Sequence, residues 1–297
     1  MVVYTTTLVE KSHLDLYREF HGKLCMFLQE TLGGWSMLHA WIKDHQKFRI
    51  MMSTIGLYIG TMGLALVWRE ASFAAWFLVP LSLLHVYFYG IIHELTHNNI
   101  FARVKPNIWM GHLLCPLNLV YFHTFKTIHL QHHRFVQIPE MDPVCTRKKD
   151  GTSFNPVWYM IIWPYHAIRW YVRHITQHRN HRRLLTNYLV FTAGIYSLFA
   201  LGLMYGVLST MLFFWALPVY IGTVFLIGIR NLIEHYGCET TRYRTSRTLT
   251  NRWLNKLTFN SFLHLEHHLM PTASIAQVRE LHERNRDIYR EKRAFIV

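Results

Sequence analysis

Four stretches of the chain are apolar over a membrane's thickness, and the segments between and after them are polar and basic. Residues 50–68, "IMMSTIGLYIGTMGLALVW", carry no charge and approach the roughly 20 residues a helix needs to cross a bilayer. Arg69 and Glu70 interrupt the pattern, and 72–92, "SFAAWFLVPLSLLHVYFYGII", is apolar again. Two further runs, 187–204 and 208–229, flank an uncharged turn. Pro80 and His85 inside the second run suit a span whose polar side faces protein. The pattern predicts an all-α integral membrane protein with four transmembrane helices in two hairpins and a cytoplasmic helical cap. In this reading 1–297 is one domain. Residues 1–49 form cytoplasmic or interfacial helices, and 93–185 with 230–297 form the cap.

Composition sharpens this picture. Apolar residues make up 51% and aromatics 15%, while charged residues reach only 16%, against about 25% in soluble proteins. The net charge is nevertheless +14. Few charges with a positive excess suit a membrane protein with a basic cytoplasmic side; no nucleic-acid partner is expected, since such a partner would need Lys and Arg spread over a polar surface. The 93–185 connection is rich in Arg and Lys, whereas the 69–71 and 205–207 turns carry no net charge. Both termini and the cap therefore belong in the cytoplasm, at a bacterial inner membrane or an endoplasmic reticulum membrane alike. The N-terminus lacks a basic region followed by an apolar core, so no cleavable leader is expected. Cys25, Cys115, Cys145 and Cys238 are scattered and read as thiols, not as a disulfide framework.

The chemistry lies in the 21 histidines. "HELTH" sets His93 and His97 one helical turn apart with Glu94 between them, the HExxH arrangement of a zinc peptidase. "HLQHH" supplies His129, His132 and His133; "HLEHH" supplies His264, His267 and His268; and "NLIEH" ends the fourth run with Asn231 and His235. The predicted topology brings all four groups to one side of the membrane. Histidines four apart on a helix share a face, while adjacent ones diverge by about 100°. An HxxHH box is thus suited to straddling two neighbouring ions. Nine such histidines exceed the three protein ligands of one catalytic zinc. Imidazole donors suit iron, zinc, copper or nickel, so ligand type does not name the metal.

These motifs, taken in order, resemble the membrane fatty acid desaturase superfamily, integral-membrane non-haem diiron desaturases, hydroxylases and ketolases. "HELTHNNIF", "HLQHHRFVQIPEMDP", "IRNLIEHYG", "SRTLTNRWLNKLTFNSFLHLEHHLMP" and the trailing "VRELH" carry the resemblance. It implies that His93, His97, His129, His132, His133, His235, His264, His267 and His268 hold two Fe ions (Fe2+/Fe3+), with Asn231 as a further ligand. It also implies O2 as cosubstrate. Glu94, where many desaturases have Asp, departs toward the hydroxylases. Glu94, Glu234, Glu266 and Asp142 are expected behind the ligands, accepting ring N–H bonds and orienting the imidazoles.

An intramembrane zinc peptidase would need one more acidic ligand in a later span. None lies in 187–204 or 208–229, and the two HxxHH boxes would be left without a role. The expected activity is O2-dependent desaturation of an acyl chain on a lipid or a carrier, with acyl or lipid hydroxylation as the alternative. No ferredoxin-like or cytochrome b5-like segment is apparent, so an external donor of one of those types is expected. The cationic stretch 172–183 reads as anionic-lipid contact or as a dock for an acidic carrier or donor.

Overall fold

The structure, a computed structural model, describes residues 41–177 and 180–297. The interfacial helices expected before residue 41, Cys25, and positions 178–179 of the cationic stretch lie outside the described residues. Residues Asp44–Val297 form one compact unit. Within it, α1 (His45–Val67) begins where Asp44 caps the helix, its side chain accepting from the amides of Gln46 and Lys47 at 2.9 and 3.0 Å. A short 3-10 turn leads into α2 (Leu78–Thr96). Then follow α3 (Val104–Leu114), α4 (Phe122–Phe135), α5 (Pro156–Thr176) and α6 (His181–Met204). The helix α7 (Leu208–His235) widens into π turns over Leu212–Ala216 and Tyr220–Leu226. The remainder is short: β1 (Arg247–Thr248), α8 (Arg252–Leu257), α9 (His264–Leu269), α10 (Ile275–Arg284), α11 (Arg286–Glu291) and β2 (Phe295–Ile296), with β1 and β2 paired in parallel.

Four helical stretches are long and apolar enough to cross a membrane: 45–67, 74–96, 181–204 and 208–235. They match the four predicted runs in order, and all four extend further at the polar end: α1 and α6 start earlier, at His45 and His181, and α2 and α7 end later, at Thr96 and His235. The apolar pattern stops at Ile92 and Ile229, whereas the backbone ladder does not. No Gly or Pro breaks it there, and the helices end only as Asn98 (φ 56°) and Gly237 (φ 73°) adopt left-handed backbone. The consequence is functional, because His93, Asn231 and His235 ride on the spans themselves and His97 caps one of them.

The core gathers Met51 and Tyr58 of α1, Leu81, Leu84, Phe88, Ile92 and Leu95 of α2, and Phe214 of α7. His85, fully buried in α2, donates its Nδ1–H to Asn118 Oδ1 at 2.7 Å, and Asn118 Nδ2 donates to the His85 carbonyl at 3.2 Å. The polar residue inside the span is thereby accommodated. Gly222 lets α7 press on α2: a Cβ there would sit 2.3 Å from the Ser82 carbonyl oxygen and 3.1 Å from His85 Cβ. Apolar side chains such as Leu57, Ile59 and Leu203 point outward, as a lipid-facing surface requires. Helix α6 buries only Gly202 among its described residues.

The α2–α7 contact is therefore the tight joint. Gly222→Leu should destabilise the fold by about 3 kcal/mol, the upper range for overpacking, since a backbone atom cannot swing aside. Gly60→Leu, at a glycine with no atom within 4 Å, should leave the detergent-solubilised melting temperature unchanged.

Candidate metal centre

Each histidine box sits at the polar end of a helix or just beyond a span. His93 and His97 end α2, His129, His132 and His133 lie on the last turns of α4, His235 ends α7, and α9 carries His264, His267 and His268. The nine imidazoles converge in two groups. One comprises His93, His97, His129, His133 and His267; the other comprises His132, His235, His264 and His268. Within each group one nitrogen per ring lies within 4.8 Å of all the others. The sorting follows helical geometry. His129 and His133, four apart, share a group, as do His264 and His268, while the adjacent pairs His132/His133 and His267/His268 divide between groups.

The facing nitrogens lie at separations that a shared ring proton or a shared cation would set. His97 and His129 face each other Nε2 to Nε2 at 2.8 Å, His133 and His267 at 3.0 Å, His132 and His235 at 3.2 Å, His235 and His264 at 3.0 Å, and His264 and His268 at 3.1 Å. Second bonds fix several tautomers. His132 Nδ1 donates to Asp142 Oδ1 at 2.9 Å, and His235 Nδ1 donates to the Thr245 carbonyl at 3.1 Å. Both partners can only accept, so both Nδ1 atoms carry a proton and both Nε2 atoms are turned toward the group. Two nitrogens each about 2.1 Å from one shared cation are separated by about this distance. The donor set therefore fits a metal in each group.

Burial keeps six of the rings neutral. It holds His97 down at about 3, with the neighbouring imidazoles adding to the effect, and it holds His129, His133, His264, His267 and His268 well below the ordinary imidazole range for the same reasons.

The carboxylates differ in what they hold. Glu94 Oε1 accepts from His93 Nδ1 at 3.1 Å, and Asp142, buried, accepts from His132 as well as the amides of Gln137 (2.8 Å) and Val144 (3.0 Å). These two take the orienting role expected of them. Glu234 is bound by Arg230 Nε at 2.8 Å, and its other oxygen lies 3.5 Å from His264 Nε2. Glu266 accepts no bond from the nine histidines. It takes His282 Nδ1 at 2.6 Å and the Thr248 hydroxyl at 2.5 Å, tying α9 to α10 and β1. Asn231 donates through Nδ2 to Tyr159 Oη at 2.6 Å, and Tyr159 donates to the Val144 carbonyl at 2.8 Å. Sequence reasoning met His282 only as the end of the trailing "VRELH", without a partner, and missed Tyr159. It also missed Lys47, set aside as part of an interfacial segment.

A cavity of about 1030 Å³ opens beneath the imidazoles. Leu83, Val86 and Ile91 of α2, Val219, Val224 and Ile227 of α7, and Trp163, Ala167 and Ile168 of α5 form much of its wall. Helix α6 contributes no lining residue. His93, His129, His132, His235, His264 and His267 form part of the boundary, and so do Lys47, Arg230 and Asn231. The lining is predominantly apolar, and the size is at the upper end of the range of about 300–1,000 Å³ for ligand sites.

Helices able to span a membrane, with two imidazole groups at their polar ends over an apolar cavity, define a histidine-box membrane protein. The chain belongs to the fatty acid desaturase family, whose model matches residues 70–297. Among known proteins it is similar to an sn-1 oleoyl-lipid 12-desaturase of Arthrospira platensis, 29% identical over 102 residues, which cover 32% of this chain and 28% of that protein. It is similar too to the sphingolipid delta(4)-desaturase DES1 of Bos taurus, 26% identical over 205 residues, covering 64% of this chain and 59% of the relative. The sphingolipid delta(4)-desaturase/C4-monooxygenase DES2 of Bos taurus is 28% identical over 212 residues with the same coverage. The chain thus spans 59% or less of the length of these curated relatives.

The neutral rings give a pH prediction for metal-free protein. The unfolded chain gains protons on these histidines below its ordinary value of about 6.5, while the folded protein does not until far lower. Stability is therefore fully present above that value and falls as pH drops below it, by up to about 1.4 kcal/mol per pH unit for each such histidine. The melting temperature of metal-free protein should be flat from pH 8 to 7 and fall steeply from 6.5 to 5. A flat profile across that lower window would contradict the neutral-imidazole assignment.

Proposed function

We propose that the chain is an O2-dependent fatty acyl desaturase with two iron ions held by the nine histidines, acting on the hydrocarbon chain of a lipid or carrier-bound acyl group. The observation that carries this reading is the opening of both imidazole groups onto one apolar cavity bounded by α2, α5 and α7. Five and four imidazole nitrogens without a thiolate suit iron among the borderline metals. Asn231 is the further ligand, its carbonyl oxygen left available because Nδ2 is given to Tyr159. Iron supplies the O2 activation that no side chain provides. The chain's own residues do the rest. Glu94 and Asp142 orient His93 and His132, and Arg230 neutralises Glu234 beside His264. The apolar wall strips water from the acyl chain and holds one methylene against the centre.

The spans are read as two hairpins with both termini and the 93–185 and 230–297 cap on the cytoplasmic side, the whole of 1–297 working as one domain. The start of α1 meets the end of α2 through Lys47 and Glu94, as a hairpin requires. The electron donor is a separate protein of ferredoxin or cytochrome b5 type, and the membrane supplies or surrounds the substrate. Acyl or lipid hydroxylation is the second reading. Glu94 favours it, and so does the similarity to a relative whose name joins desaturase and C4-monooxygenase.

Protein purified in detergent without added metal should contain about two irons per chain, and a His132→Ala/His267→Ala variant should lose them, one ligand having been taken from each group. About one zinc per chain, retained in the variant, would sink the reading and return attention to HExxH peptidase chemistry. Product mass separates the other two: desaturation removes about two mass units and hydroxylation adds about sixteen, by hydrogen and oxygen stoichiometry.

A further inference from the structure

We propose that Lys47, in the first turn of α1, is a positioning residue for the five-histidine group. The inference rests on the metal-centre reading above and adds to it a residue outside 70–297, the part of the chain that the family model matches.

Three observations converge on this side chain. Lys47 is only 7% exposed. Its ammonium donates to Glu94 Oε2 and to the Ala273 carbonyl at 2.9 Å. Glu94, through its other oxygen, accepts from His93 Nδ1 at 3.1 Å, so cation, carboxylate and imidazole form one line from α1 into the centre. Asn99 donates to Glu94 Oε2 at 2.9 Å and to the Pro271 carbonyl at 2.8 Å, holding the same carboxylate from the other side. Pro271 and Ala273 follow the last histidine box by three and five residues from His268. Lys47 thereby ties α1, the HExxH helix and the strand of chain leaving α9 to a single carboxylate.

The other imidazole group is built differently. Asp142, behind His132, is held by the peptide amides of Gln137 and Val144 and meets no ammonium or guanidinium. Glu94 takes no peptide N–H through its side chain among its bonds to described residues; its acceptors are filled by Lys47, Asn99 and His93. The two carboxylates do the same job with different partners, and removal of Lys47 should disturb only one of them. A part-buried carboxylate deprived of its cation loses that compensation and is free to turn from His93 toward water or Asn99. His93 would then lose the bond that sets its ring plane. Such outer contacts typically matter 10- to 100-fold in metal affinity.

The test is a cobalt(II) titration of metal-free, full-length protein in detergent, followed by visible absorption. The wild type should take up about two ions per chain. Lys47→Met should weaken one of the two binding steps by about 10- to 100-fold and leave the other at wild-type affinity, while Lys47→Arg, which keeps a cation, should retain most of the affinity. If Lys47 were only a structural tie, Lys47→Met would lower the melting temperature of metal-free protein and leave both cobalt steps unchanged; that result overturns the assignment, as does equal weakening of both steps. Lys47→Gln, which can still donate to Ala273, carries the same comparison if the Met variant does not fold. Failure of the wild type to bind cobalt would overturn the metal-centre reading itself, with Lys47 falling alongside it, so the two failures are told apart by the wild-type titration alone.

Discussion

Nine imidazoles brought this close together repel one another wherever no shared proton or cation lies between two facing nitrogens. The Nε2 atoms of His132 and His235 face each other at 3.2 Å with both Nδ1 protons committed elsewhere. Such a cluster is held together by the scaffold around it and is complete only with cations inside, as we propose. Much of the remaining architecture serves that constraint. Helices α2 and α7 pack tightly enough at Gly222 to act as one support, and Asp142, Glu94 and Arg230 pin the rings or their neighbours from outside. The C-terminal segments serve it too, since Glu266 is spent on His282 and Thr248, clamping α9 in register.

Division of labour between apolar and polar surfaces explains the placement of the centre. The hydrocarbon-compatible wall and the nitrogen donors belong to the same helices, the wall lying on the turns that precede each histidine. Leu83, Val86 and Ile91 precede His93 on α2, and Val219, Val224 and Ile227 precede His235 on α7. A ligand entering between these helices meets apolar contacts first along their length and the imidazoles at the end.

How far the sequence revealed this depended on the range of each interaction. The four spans were readable because transfer of apolar side chains is a sum over neighbours in sequence. Their polar ends were not, since hydropathy falls at His93 and Asn231 while the backbone hydrogen bonds continue. Splitting of adjacent histidines between two groups followed from 3.6 residues per turn alone. The partners of Glu266 did not follow from any local rule: a carboxylate in an HLEHH box suggests a bond to one of those histidines, and the fold instead delivers His282 from α10. Lys47 escaped for a related reason. A lysine before an apolar run resembles an interfacial anchor, and only the approach of α2 and of residues 271–273 makes it an interior cation.

Helix α6 stands apart from all of this. It buries a single glycine, lines none of the cavity and supplies no residue to either imidazole group. Selection can therefore act on it through length and oiliness far more than through the identity of particular side chains. Over evolutionary time this span should behave as replaceable upholstery, exchanging Leu, Ile, Phe and Val freely. Change in α2 or α7, by contrast, must be negotiated with the chemistry at their tips. Within one chain, then, two spans of similar hydropathy are subject to very different rates of permissible drift.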